Sequence, residues 1–70
     1  MTRKECIELL KVKMSNVLGI KKSEFTAFAE DMIEPFNVNC ERECYYNNYA
    51  DSFDADINYY VNSYKHWMFD

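Results

Sequence analysis

The last third of the chain, from Tyr45 to Phe69, constrains the fold more than any other stretch. It holds nine of the twelve aromatic residues, and three aspartates lie among them. From residue 53 onward the apolar residues recur at steps of four, three and one, which indicates a helical stripe and not a strand. The stripe consists of Phe53, Ile57, Tyr60, Val61, Tyr64, Trp67 and Met68. We expect the rest of the chain to pack against this helix.

The composition points to one small helical domain that spans residues 1–70. The apolar fraction is 49%, and the chain has a single glycine and a single proline. These values disfavour both disorder and a β fold, which needs many turns. The sequence therefore predicts an all-α fold of three to four short helices, namely a helical hairpin followed by the aromatic C-terminal helix.

The first helix is predicted over about residues 3–18. Thr2 and Glu5 have the spacing of a capping box, in which each side chain bonds to the backbone of the other residue. Gly19 lies where a left-handed residue commonly ends a helix. An apolar stripe of near-heptad spacing runs between these ends, through Cys6, Ile7, Leu10, Met14, Val17 and Leu18.

A second helix is predicted from an N-cap at Ser23 to a stop near Glu34, because Pro35 disfavours helical geometry in the residue before it. Asn39 is the predicted cap of a third helix. The apolar stripe loses phase between Tyr49 and Phe53, which favours a break there and a last helix capped by Asp51 or Ser52. Asp54 and Asp56 would then lie in its first turn. A single helix over residues 39–68 is the alternative.

The predicted core combines the apolar stripes of these helices. It consists of Leu10, Met14, Phe28, Met32, Ile57, Tyr60, Val61 and Tyr64. Tyr46 and Tyr59 lie off those stripes, so the sequence predicts that both remain at the surface.

Charge is divided unevenly along the chain, whose net charge is -4. Residues 1–22 carry six basic and two acidic side chains, a net charge of +4. Residues 23–70 carry two basic and ten acidic side chains, a net charge of -8. Such a chain is suited to a partner with a charged patch, although two solvated faces are the simpler interpretation.

The sequence lacks the usual patterns of a zinc site, a calcium loop and a catalytic nucleophile–base pair. Four potential zinc ligands, Cys6, Cys40, Cys44 and His66, do not form a knuckle with two closely spaced thiols. Asp51, Asp54 and Asp56 lack the glycine and terminal glutamate of a calcium loop. Cys44 and His66 could pair as nucleophile and base, but no catalytic signature surrounds them. We expect no metal, no cofactor and no enzymatic activity.

The chain is predicted to reside in the cytoplasm. Its first twenty residues contain no apolar stretch of the secretory type, and no segment is apolar over a membrane-spanning length. Three cysteines, an odd number, do not suit a secreted disulfide framework. If the protein is viral, the compartment would be the host cytoplasm.

The sequence predicts a non-enzymatic module that binds a protein partner with a basic surface and occludes or modulates it. Tyrosine rings suit interfaces, and carboxylates among them imitate phosphates. The predicted contacts are Tyr45, Tyr46, Tyr49, Asp51, Asp54, Asp56, Tyr59 and Trp67. Small phage-type inhibitors of host nucleic-acid or defence enzymes share this general size and composition, but no motif ties the chain to a family. A homodimer is a further expectation.

The alternative is a small helical regulator that binds nucleic acid through its basic N-terminal helix. Arg3, Lys4, Lys11, Lys13, Lys21 and Lys22 could contact phosphates. These residues spread around the helix, and carboxylates such as Glu30 and Asp31 in the second helix would repel a phosphate backbone. Direct binding of DNA or RNA is therefore the less favoured prediction.

Overall fold

The structure is a computed structural model that describes residues 1–33 and 42–69. In these ranges the chain forms α1 (Arg3–Leu18), a 3-10 turn (Lys22–Phe25), α2 (Thr26–Met32), α3 (Arg42–Ala55) and α4 (Ile57–Phe69), with no strand. The predicted all-α fold is confirmed. The predicted stop at Pro35 and the predicted cap at Asn39 lie outside the described residues.

Helix α1 has both of its predicted ends. The Glu5 amide donates to Thr2 Oγ1 at 3.2 Å, and the Thr2 amide donates to Glu5 Oε1 at 3.1 Å. These hydrogen bonds with Thr2 lower the pKa of the Glu5 carboxyl below its ordinary value. Gly19 has φ 68 and ψ 23, and its amide donates to the Ser15 carbonyl at 2.8 Å. A glycine adopts this left-handed geometry without a Cβ penalty, so it ends the helix.

The predicted N-cap at Ser23 was wrong. Ser23 lies inside the 3-10 turn, and its carbonyl accepts a hydrogen bond from Thr26 Oγ1 at 3.1 Å. The tighter turn ends at Phe25, which is fully buried, and α2 starts one residue later. At the other end, the Arg3 side chain donates to two carbonyls at the C-terminus of α2, with Nη2 2.8 Å from Glu30 O and Nε 3.0 Å from the O atom of Ile33, the residue that follows the helix. The arginine thus satisfies acceptors that a helix C-terminus leaves unpaired.

The break in the C-terminal segment lies at Asp56, later than predicted. Asp51, Ser52 and Asp54 all belong to α3, so none of them caps or begins the last helix. Tyr46 and Phe53, seven residues apart in α3, are both buried and keep that helix continuous past the predicted break. The Asp56 carbonyl accepts from the Tyr60 amide at 3.2 Å, as the carbonyl of an N-cap residue does.

Contacts between helices show that they run in alternating directions. Cys6 meets Tyr46, and Lys13 meets Asp54, so α1 and α3 are parallel. Arg3, at the start of α1, reaches the end of α2, so these two helices are antiparallel.

In α4, residue 64 contacts Phe25 and residue 67 contacts Asp31, so α4 runs parallel to α2. The order is up, down, up, down.

The chain bends sharply between α3 and α4. A straight helix over residues 42–69 would be roughly 40 Å long, whereas the longest dimension of the Cα trace is 33 Å. On the inner side of the bend, the rings of Phe53 and Tyr60 meet edge to face at 5.3 Å. The aromatic pair closes the apex of the bend and leaves α3 and α4 to diverge from it.

One core joins the helices. It consists of Cys6, Ile7, Leu10, Met14, Phe25, Phe28, Ala29, Ile33, Tyr46, Phe53, Tyr60, Val61 and Tyr64. Six of the eight predicted core residues are among them, whereas Met32 and Ile57 are only partly buried and pack against its edge. The prediction that Tyr46 lies at the surface was wrong, since the residue is 1% exposed. Among the described helices, none is long and apolar enough to cross a bilayer.

Candidate functional site

A cleft lined largely by tyrosines lies between the diverging helices α3 and α4. Tyr45, Asn48, Tyr49 and Ser52 form its α3 wall, and Tyr60 forms its α4 wall. Its volume is about 360 Å³, near the lower end of the range for small binding sites. We call these five residues the tyrosine cleft. They lie together because residues three, four and seven apart share one side of α3, and the bend at Asp56 folds α4 back toward it.

The rings of the tyrosine cleft are held by packing within the protein. Tyr45 meets Tyr49 edge to face at 5.4 Å, and on its other side it meets the buried Tyr46 at 4.9 Å. Edge-to-face pairs of this kind add favourable energy beyond the area that they bury. The cleft is therefore a preformed surface whose rings lose little freedom when a ligand binds.

Hydroxyl groups supply the polar chemistry at the end of the cleft nearest the bend. Ser52 Oγ donates to the Tyr49 carbonyl at 2.8 Å and lies 3.4 Å from the Tyr60 hydroxyl oxygen. Burial raises the pKa of Tyr60 above its ordinary value, while the hydrogen bond with Ser52 acts in the opposite direction. None of the described residues that line the cleft is charged. The cleft thus combines aromatic faces with neutral hydrogen-bonding groups.

Tyr59 lies beside the cleft and points outward. Its side chain is 63% exposed, and its ring packs edge to face on Tyr60 at 5.5 Å. The prediction that this residue remains at the surface is confirmed. Its contact with Tyr60 connects it to the cleft wall, so the exposed aromatic surface extends beyond the cleft itself.

The three predicted acidic contacts have different surroundings. Asp51 and Asp56 are exposed, and neither carboxylate has an ion-pair partner among the described residues. Asp54 is also exposed, but Lys13 Nζ lies 2.9 Å from its Oδ1. One predicted acid is therefore paired within the chain, and two remain available to another molecule.

Trp67 lies apart from the tyrosine cleft, near the C-terminal end of α4. It is 43% exposed, its Nε1 donates to Asp31 Oδ2 at 2.9 Å, and its ring stacks against Tyr64 at 6.4 Å. It also meets Phe28 edge to face at 6.0 Å. The predicted contacts thus do not form one surface: Tyr45 and Tyr49 line the cleft, Tyr46 is buried, Asp54 pairs with Lys13, and Trp67 is held against α2.

Half of the basic residues near the N-terminus make intramolecular contacts. Arg3 caps α2, and Lys13 pairs with Asp54. Lys11 is only 9% exposed, and its Nζ lies 2.8 Å from Glu8 Oε1. This hydrogen bond lowers the pKa of the Glu8 carboxyl. A phosphate-binding surface on α1 would have to break these contacts, which counts against the nucleic-acid alternative.

The described residues contain no group of three or more potential metal ligands. Cys6 is fully buried, and its thiol lies 3.7 Å from the Tyr46 carbonyl, to which it donates. Burial raises the pKa of this thiol to about 11, so the nucleophilic thiolate is scarce at neutral pH. His66 is exposed on α4. Cys40 and the side chain of Cys44 lie outside the described residues.

Sequence reasoning missed three residues that line the cleft, namely Asn48, Ser52 and Tyr60. Ser52 follows Tyr45 and Tyr49 at steps of four and three, so this spacing was a usable signal once α3 was taken as continuous. Tyr60 could not be found in this way, because it depends on the bend. Comparison with protein-family models, curated proteins and solved structures finds no match.

Proposed function

We propose that this chain is a small non-enzymatic module that binds a protein partner with a basic surface and thereby occludes or modulates that partner. The observation that carries the proposal is the tyrosine cleft, a preformed aromatic surface on a chain segment that also carries two exposed carboxylates, Asp51 and Asp56, with no ion-pair partner among the described residues. A phage-type inhibitor of a host nucleic-acid or defence enzyme is the biological role that this combination suits.

Fixed tyrosines support a binding role for energetic reasons. Binding energy in protein interfaces is concentrated in a few aromatic and arginine side chains that are buried by the partner. Ordering a mobile side chain costs about 0.5–1.5 kcal/mol on binding. The Tyr45 and Tyr49 rings already contact each other at 5.4 Å, so much of this cost is met on folding.

The acids support a partner with a basic surface. Asp51 and Asp56 are exposed on the same chain segment as the cleft, one in α3 and one at the bend. Charges at the rim of an interface chiefly raise the association rate and set orientation. Asp54 contributes less to such a surface, because Lys13 neutralises much of its charge.

The test is capture of partner proteins from the natural host by immobilised protein, with matched variants. We expect wild type and Val17→Ala to retain the same basic protein, because Val17 is an exposed side chain of α1 that does not line the cleft. Tyr49→Ala should lose that protein, and the double variant Asp51→Lys, Asp56→Lys should weaken its capture. Equal capture by all four proteins would overturn the proposal.

Two further measurements separate the alternatives. A labelled DNA duplex should not bind at low salt, whereas salt-sensitive binding would support the nucleic-acid regulator. Sedimentation of the isolated protein tests the homodimer. A dimer that Tyr49→Ala dissociates would identify a second copy as the occupant of the cleft.

A further inference from the structure

We propose that the tyrosine cleft binds an extended, proline-containing segment of its partner as about one turn of polyproline II helix. The inference rests on the proposed function, because it names what part of a protein partner enters the cleft. It is argued from the length of the cleft, its chemistry, its rigidity and the charge beside it.

The length of the cleft fits a short extended segment. From Tyr45 to Ser52 the α3 wall rises about 10 Å along the helix axis. A polyproline II helix rises 3.1 Å per residue with three residues per turn, so one turn spans about 9 Å. An α-helix with its side chains is about 10–12 Å across and needs a longer groove to make contacts over several turns.

The chemistry of the cleft suits a segment without free amide donors on its buried side. Proline has no N–H, so it can lie on an aromatic face without leaving a donor unsatisfied. The carbonyls of polyproline II make no internal hydrogen bonds. They can accept from the Tyr60 hydroxyl at the end of the cleft nearest the bend, in place of its 3.4 Å contact with Ser52 Oγ. Ser52 itself keeps its single O–H on the Tyr49 carbonyl. The uncharged lining disfavours a phosphate or a buried lysine.

The cleft and a proline-containing segment are both rigid before they meet, which favours binding. Tyr45 and Tyr49 pack edge to face at 87°, so each ring limits the movement of the other. A proline-rich segment is likewise stiff before it binds, and aromatic-lined grooves recognise such segments for this reason. Neither partner then loses much conformational entropy.

The charge beside the cleft indicates what flanks the prolines. Asp56 lies at the bend, and its carboxylate acts electrostatically on Tyr60 of the cleft wall. This carboxylate is exposed and lacks an ion-pair partner among the described residues. Lysine or arginine next to the prolines would complement it and would set the direction of the segment.

The test uses two fluorescent peptides of equal length, a decaproline and a glycine-serine repeat, each flanked by lysine at both ends. Fluorescence anisotropy should show that the decaproline binds at least about tenfold more tightly, equivalent to about 1.4 kcal/mol. Tyr49→Ala should weaken its binding by about tenfold or more, whereas Val17→Ala should change it less than about twofold. Tyr49→Phe keeps the ring and should bind nearly as well as wild type.

Either of two results would overturn the inference. Equal binding of both peptides would show that charge alone attracts them, and no binding of the decaproline at millimolar concentration would show that the cleft takes another occupant. Circular dichroism of Tyr49→Ala confirms that the variant remains helical, and Tyr49→Phe provides the comparison if it does not. If the decaproline fails while partner capture still depends on Tyr49, the occupant is wrong and the proposed function stands.

Discussion

Helix α3 has two interfaces, and the tyrosines that it contributes to them behave differently. On the α1 side, Tyr46 is 1% exposed, and its carbonyl accepts from the Cys6 thiol. On the α4 side, Tyr45 and Tyr49 are only partly buried and line an open cleft. The first interface belongs to the core, whereas the second leaves aromatic faces accessible.

The difference follows from angular position on α3 and from the direction of the neighbouring helix. Consecutive helical residues differ by about 100°, so Tyr45 and Tyr46 cannot face the same neighbour. Helix α1 runs parallel to α3 and meets it at Cys6 and Lys13. Helix α4 instead meets α3 close to the bend, where Tyr60 lies beside Ser52 and Phe53. One helix thus buries one face in the core and leaves another face along an open cleft.

The largest effect is expected from truncating the buried tyrosine. Tyr46→Ala should lower the free energy of unfolding by about 3–5 kcal/mol, because it leaves a cavity in the core. Tyr45→Ala should also lower the free energy of unfolding, but this loss should be smaller than that of Tyr46→Ala by at least about 1 kcal/mol, since Tyr45 lies at the edge of the core. Urea unfolding followed by circular dichroism measures both values.

A domain of this length has a total stability of about 4–10 kcal/mol, so Tyr46→Ala could unfold most of the protein. Tyr46→Phe keeps the ring and provides a measurable variant, with an expected loss below about 2 kcal/mol. Tyr59→Ala is the surface control and should change stability by about 0.5 kcal/mol or less. Equal losses for Tyr45→Ala and Tyr46→Ala would contradict the distinction between the two interfaces.

Alkaline pH should weaken the interface between α1 and α3, because it ionises the buried Cys6 thiol. Burial raises the pKa of its thiol from an ordinary value of 9.0 to about 11. The contribution of the Cys6 thiol to the free energy of unfolding is therefore fully present below pH 9. It falls as the pH rises toward 11, because the thiol of the unfolded chain loses its proton at lower pH than the thiol of the folded chain. One pKa unit corresponds to about 1.4 kcal/mol, so the loss is at most about 2–3 kcal/mol.

The matched variant for this titration is Cys6→Ala. It should begin with lower stability at pH 7, because it removes a fully buried side chain. Its stability should then fall less between pH 9 and pH 11 than that of wild type, as measured by urea unfolding at each pH. An identical pH dependence in both proteins would show that the Cys6 thiol does not couple to folding.

The sequence predicted the elements whose ends are set by neighbouring residues. It failed where a contact between distant segments of the chain determines the structure. The prediction of α1 over about residues 3–18 is confirmed, because Thr2, Glu5 and Gly19 act within a few positions of the helix that they limit. The position of the break was missed, since a loss of phase in the apolar stripe between Tyr49 and Phe53 does not fix the residue at which a helix ends. Packing of Tyr46 and Phe53 in the core kept α3 helical as far as Ala55.

The candidate site was predicted in part for the same reason. Tyr45 and Tyr49 share a helical face, and that pattern can be recognised in the sequence. The burial of Tyr46 depends on which side of α3 meets α1, and the place of Tyr60 depends on the bend. The pairing of Asp54 with Lys13 joins residues 41 positions apart. Neither residue's neighbours in the chain indicate that contact.

The smallest effect is expected from the surface ion pair that joins α1 to α3. Lys13 Nζ lies 2.9 Å from Asp54 Oδ1, and the aspartate side chain is 79% exposed. A double-mutant cycle with Lys13→Met and Asp54→Asn should give a coupling energy of about 0.2–1 kcal/mol that decreases with added salt. Asp51→Asn is the control, because Asp51 has no ion-pair partner among the described residues, and it should show no coupling to Lys13→Met. A coupling of Lys13 to Asp51 as large as that to Asp54 would mean that α3 is rotated relative to α1, and that the Asp51 carboxylate also has an ion-pair partner within the chain.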